Sequence, residues 1–148
     1  MPDVDLRSLD AEFEAKAFPG SWTEWELGDL AVASNAGGHA IVLAASAEFW
    51  DDDGSAAEAE WERLSSVCRD HEVAATAAWG ASHPVDITPR LARGEASPFT
   101  ELLLEQGTTR GSFWNRGDRA LGLSVCQMDK ETAIQVIAFI VPTSALKG

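Results

Sequence analysis

RALGLSVCQMDKETAIQVIAFIVP, residues 119–142, is the stretch on which the fold turns. Two apolar runs, Arg119–Gln127 and Thr132–Pro142, flank the polar segment Met128–Glu131, so they read as a β-hairpin whose strands are apolar on both faces. Strands of that kind belong in the middle of a sheet. The reading covers one of their faces with helices and the other with a partner or a loop. Gln127 and Gln135 are the polar exceptions, and a three-residue loop at Lys130–Thr132 would set them opposite each other with their amides hydrogen-bonded. The second run is too short to cross a bilayer, and it contains Gln135 and Pro142.

Working back from the hairpin, Gly117 supplies the turn that leads into its first strand. The RGD triplet around it, Arg116–Asp118, is short enough to arise by chance, and the turn reading is preferred. Ser97, Pro98 and Gly107 punctuate a helix over FTELLLEQ, with Ser97 as N-cap, Pro98 at the first helical position and Gly107 as the stop. Residues 81–97 are rich in Pro, Gly and Ser and read as a long irregular connection with at most one helical turn near Thr88-Pro89. EVAATAAWG, residues 72–80, alternates Val73, Ala75, Ala77 and Trp79 and reads as a fourth strand.

Before it, residues 51–71 switch period. Ala57, Trp61, Leu64, Cys68 and His71 recur at spacings of four and three, which places them on one helical face. Ser55 and Glu58 read as a capping box, and Asp51, Asp52 and Asp53 lie where the helix dipole favours negative charge. A calcium-loop alignment of Asp51, Asp53, Gly54 and Glu60 fails, because its first ligand position falls on Phe49. Residues 21–46 read as a three-stranded meander with a two-residue turn at Gly28-Asp29 and another at Asn35–Gly38. Residues 3–18 read as a helix with Leu6, Leu9, Phe13 and Ala17 on one stripe, closed by Pro19-Gly20. The expected fold is therefore α+β, a mainly antiparallel sheet of about six strands with three helices in the order α-βββ-α-β-α-ββ, spanning residues 1–148 as a single domain.

Composition bounds the function. The 148-residue chain is 45% hydrophobic and 24% charged, an ordinary globular balance. Its acidic N-terminus lacks the basic and apolar stretches of a secretory signal, which leads to the expectation of a cytoplasmic protein without a membrane segment. Cys68 and Cys126 read as reduced, buried thiols; with His39, His71 and His83 they form no metal-binding spacing, so no metal is expected. No glycine-rich phosphate loop is present, and no cofactor is expected. The formal charge is −13. Its excess lies in residues 1–75, with 17 acidic and 4 basic side chains, against 7 and 7 in residues 76–148. This is the reverse of a nucleic-acid binder and suits a basic protein partner.

Six Trp and no Tyr add a second signal. Trp22 and Trp25, three apart along a strand, point to opposite faces, so one of them should be half exposed. Trp61 and Trp79 read as core. Trp114, between Arg110, Arg116 and Arg119, suits a contact surface as well as a core. The residue types lead to a non-enzymatic acidic interaction module, a regulator or inhibitor that binds a basic surface through Trp22, Glu24, Trp25, Glu26, Asp29 and Trp114. The alternative is a small hydrolase or ligand-binding enzyme on the 81–97 loop, with His83 as base and Asp86 orienting it; Asp86 serves equally well as a turn cap. His39 is expected at a surface or rim. A third reading is a homodimer that covers the outer face of the terminal hairpin.

Overall fold

The structure is a computed structural model that describes residues 4–50 and 53–147, so that Asp3, Asp51 and Asp52 lie outside the described residues. The chain runs α1 (Leu6–Phe13), β1 (Thr23–Leu27), β2 (Leu30–Asn35), β3 (Gly38–Ala45), α2 (Ser55–Trp79), β4 (His83–Asp86), α3 (Thr88–Ala92), α4 (Pro98–Glu105), β5 (Arg110–Arg116), β6 (Arg119–Cys126) and β7 (Gln135–Pro142), followed by a short 3₁₀ turn. All seven strands form one antiparallel sheet in the order β1-β2-β3-β7-β6-β5-β4. The α+β class stands, with one strand and one helix more than the sequence led us to expect.

The terminal hairpin is central. β6 and β7 pair over eight positions, from Arg119 opposite Pro142 to Cys126 opposite Gln135. Gln127 therefore does not face Gln135; its amide donates to the Thr132 carbonyl at 3.0 Å inside the turn. On one face of the sheet Ile41, Leu121, Leu123, Val136, Ala138 and Ile140 pack against Leu6, Leu9 and Phe13 of α1 and Leu64, Cys68 and Ala75 of α2. On the other, Phe113, Ala120, Ile137, Phe139 and Val141 pack against Ile87, Phe99, Leu102 and Leu103. Helices cover both faces of the hairpin from within one chain, which removes the reason for expecting a second copy there.

The largest departure from expectation is residues 72–80, which continue α2 and form no strand. Alanine stands at four of these nine positions, and alanine is the strongest helix former while adding nothing to a strand's packing. The inward stripe of Leu64, Cys68 and Ala75 runs straight through the segment, His71 lies within the helix, and Val73 is exposed. Gly80, with φ of 90°, ends it. At the other end the Ser55–Glu58 capping box is not formed; Asp53 accepts from the Ser55 amide at 2.9 Å and its hydroxyl at 2.7 Å. Trp61 is 42% exposed, so it does not fill the core as expected, whereas Trp79 is half-buried and packs against it.

α1 stops at Phe13, well before Pro19-Gly20. Asp5 caps its start, accepting from the Ser8 amide at 2.9 Å, and this bond holds the Asp5 carboxyl below its ordinary range. At its end the Arg119 guanidinium donates to the carbonyls of Phe13 (2.8 Å) and Lys16. The Phe13 carbonyl also accepts from the Lys16 amide at 3.1 Å, so Arg119 braces the closing turn of α1, and its guanidinium stacks over the Phe18 ring at 4.3 Å.

Glycines allow the close approaches. At the β2–β3 turn the Asn35 amide donates to the Pro98 carbonyl at 2.9 Å, and Gly37 lies so near the first turn of α4 that a β-carbon there would overlap the Phe99 backbone. NAGG is thus a docking corner as well as a turn. β5 and β4 complete the sheet beyond the hairpin, with His83–Asp86 paired against Arg110–Phe113; the expected irregular loop contains this short edge strand and α3.

Candidate functional site

Four of the six sequence-predicted contact residues gather at the β1 side of the sheet's edge. Glu24 and Glu26 lie opposite Ala33 and Ala31, so the two carboxylates stand on one face above small side chains. Trp22, 40% exposed, donates its indole N–H to Glu24 Oε2 at 2.9 Å. Trp22, Glu24, Ala31, Ala33 and Glu105 line a shallow depression of about 260 Å³. Asp29 is exposed in the turn at the strand's tip. Glu105, from the end of α4, joins this patch with no sequence signal to announce it, since its placement depends on where α4 docks. The β1 backbone pairs only with β2 among the described residues.

The other two contact residues lie elsewhere. Trp25 sits on the opposite face, half-buried, with its indole N–H donated to Ser34 Oγ at 2.9 Å. Trp114 is 2% exposed. It donates to the Gly80 carbonyl at 2.9 Å and meets Trp79 edge-on at 6.4 Å, which makes it a core pillar under the end of α2 and takes it out of any exposed contact surface. Arg116 of the RGD triplet stacks over Trp79 at 4.7 Å and pairs with Asp10 at 3.3 Å. Its glycine and aspartate form the two-residue turn between β5 and β6.

His39 corrects the rim expectation. It is 2% exposed, between Phe13 at 4.9 Å and Phe18 at 5.0 Å, with Trp25 edge-on at 6.3 Å. Nδ1 bonds to Ser34 Oγ at 2.6 Å, and Nε2 is buried with no hydrogen-bond partner among the described residues. Burial, with the Arg119 and Lys16 charges adding to it, pushes its pKa down to about 4. The ring is therefore neutral at pH 7.

His83 and Asp86 are not brought together. They sit three apart on β4 and point to opposite faces of it. Asp86 accepts from the Thr88 amide at 2.8 Å. Bonds from the Thr88 side chain and backbone hold its carboxyl below the ordinary carboxylate range; it caps the turn into α3. No hydrogen bond joins His83 to a nucleophile among the described residues. Cys68 and Cys126 are free and buried. Burial, with Glu72 adding to it at Cys68, pushes their thiols up to about 12 and about 11, far from the thiolate that nucleophilic chemistry uses.

Among the described residues no three His, Cys, Asp or Glu side chains converge as metal ligands, and no helix is long and apolar enough to cross a membrane. Comparison with protein-family models, curated proteins and solved structures yields no significant match to this chain. Function therefore has to be argued from the geometry.

Proposed function

We propose that this is a non-enzymatic acidic interaction module of the cytoplasm that receives a basic, extended segment of a partner protein along β1. The observation behind the reading is an edge strand with an unpaired backbone side, flanked by exposed Trp22, Glu24, Glu26 and Asp29. An added strand gains affinity from main-chain hydrogen bonds and specificity from the side chains that flank it. Here those side chains are carboxylates beside an indole, which select Lys and Arg. The free, buried cysteines accord with a reducing compartment.

The test is affinity capture from the source lysate at low and high ionic strength, followed by hydrogen exchange on the purified complex. A basic protein retained only at low salt, slowing exchange over residues 23–27 and lost from Glu24→Lys/Glu26→Lys, is the expected result. A partner bound equally by that variant, or nothing retained, overturns the reading.

A further inference from the structure

A second surface is separate from the β1 edge and does not depend on the reading above. α2 crosses β6 and β7 and leaves a gap beside it at the Arg110–Ser112 end of β5 and the Pro84–Asp86 end of β4. The gap is a groove of about 710 Å³, within the range of small-molecule sites. Leu123, Val125 and Cys68 give it an apolar floor, Trp61 stands on the helix side, and Pro84 on the strand side.

Its charges are unusual for this chain. Arg69 on α2 and Arg110 on β5 both line the groove, and neither side chain has a hydrogen bond or ion pair among the described residues. Most of the other arginines are engaged: Arg7 with Asp5, Arg63 with Glu60, Arg90 with Glu95 and Arg116 with Asp10, while Arg119 holds two carbonyls. In a chain with 24 acidic and 11 basic side chains, two unpaired guanidiniums beside one groove are a local exception. Asp86, opposite Arg110 in the β4–β5 register, also lines the groove; its carboxylate is held by the Thr88 amide, and the Arg110 charge acts on it without forming an ion pair. Glu72, one helical turn beyond Cys68, also lines the groove and likewise has no hydrogen bond or ion pair among the described residues.

From this arrangement we infer that the groove binds a small zwitterion with an apolar body, the chemistry of an apolar amino acid or a very short apolar peptide. The carboxylate lies toward Arg69 and Arg110, which offer forked donors suited to it. The ammonium lies toward Glu72, and the side chain rests on Leu123, Val125 and Cys68. Both charged ends of the ligand meet unpaired partners, and the apolar body covers surface that α2 leaves open.

The test is a titration of the full chain with L-phenylalanine and with Phe-Phe, followed by amide chemical shifts, with N-acetylphenylalanine and phenylalanine amide as controls. The expected result is saturable shifts centred on residues 65–72, 84–86 and 110–112, at least tenfold weaker for either blocked analogue. The zwitterion that binds more tightly then tells free amino acid from short peptide as the source. Arg69→Gln and Arg110→Gln should remove the preference for a free carboxylate, and Glu72→Gln the preference for a free ammonium, with each variant's circular dichroism unchanged. No saturable shift with either zwitterion at millimolar concentration, equal binding of the blocked analogues, or shifts centred elsewhere overturns the inference.

Discussion

Replacing His39 by asparagine separates titration from packing. The imidazole is neutral in the fold because burial depresses its pKa from 6.5 to about 4. An unfolded chain binds a proton at His39 as the pH falls below 6.5, and the folded chain does not until about pH 4. Stability is therefore complete above the unfolded value, falls across that window, and levels off below the folded value. At about 1.4 kcal/mol per unit the full loss is about 3 kcal/mol, a large part of a typical domain's margin. The carboxylates of Asp5 and Asp53, held below their ordinary 3.8, lose their contribution only at lower pH, so the histidine window stands apart from theirs. His39→Asn keeps a polar group near Ser34 Oγ and removes the titration. The assay is urea unfolding of both proteins at several pH values between about 7 and about 4. The asparagine variant should begin less stable, from the void left by the ring, and should lose about 3 kcal/mol less than wild type across the window. Equal slopes would refute the assignment of His39 as a buried neutral base.

Two further outcomes follow from the packing. Gly122→Ala would drive a β-carbon into the ring of Phe113, which is buried between Phe99 and Phe139 and has little room to move; urea unfolding should show a loss of about 1–3 kcal/mol, and a neutral substitution would mean that the ring layer is looser than described. Cys68 and Cys126 should both resist a thiol reagent in the native protein and both react in urea, and rapid native labelling of Cys68 would show that α2 opens locally from the sheet.

Much of this fold was legible because local signals agreed with one another. Ser97, Pro98 and Gly107 bracket α4 where their chemistry requires, Gly28-Asp29 makes the expected two-residue turn, and the doubly apolar β6–β7 pair sits at the sheet's centre. The failures have physical causes. Alternation among alanines in residues 72–80 carries no information about which face is buried, so propensity and the stripe through Leu64, Cys68 and Ala75 should have decided it. β4 begins His83-Pro84, and proline tolerates only an edge position, so a four-residue strand there has almost no signature. β5 falls in RGSFWNR, to which the sequence reading assigns no element; its pairing with β6 across Gly117-Asp118 makes it a strand in its own right. His39 shares the parity of Ile41 on β3 and so faces the same core, a signal masked by its polarity and its place next to the Gly37-Gly38 turn. Of the candidate contact residues, Trp22, Glu24, Glu26 and Asp29 are exposed at the β1 edge. The partners of Trp25 and Trp114, namely Ser34 and the Gly80 carbonyl, depend on strand order and helix docking, which periodicity does not encode.

The two edges of the sheet differ in a way that bears on what β1 can accept. β4 is four residues long, contains Pro84 and presents a poor template. β1 has neither a proline nor a bulge, and glutamates are its only charged side chains. Suppose two copies met edge to edge with all five β1 residues paired antiparallel. Trp25 would face its own copy, and Glu24 would face Glu26 twice over, placing four carboxylates on one face. Like charges directly opposite one another destabilise a sheet, so the same residues that leave the edge open resist self-association. A segment with Lys or Arg at alternate positions reverses the sign of each of those pairs. The local charge acts in the same direction: Glu24, Glu26 and Asp29 stand on β1 and its turn with Glu105 beside them, so a basic segment is drawn toward this edge before any backbone bond forms.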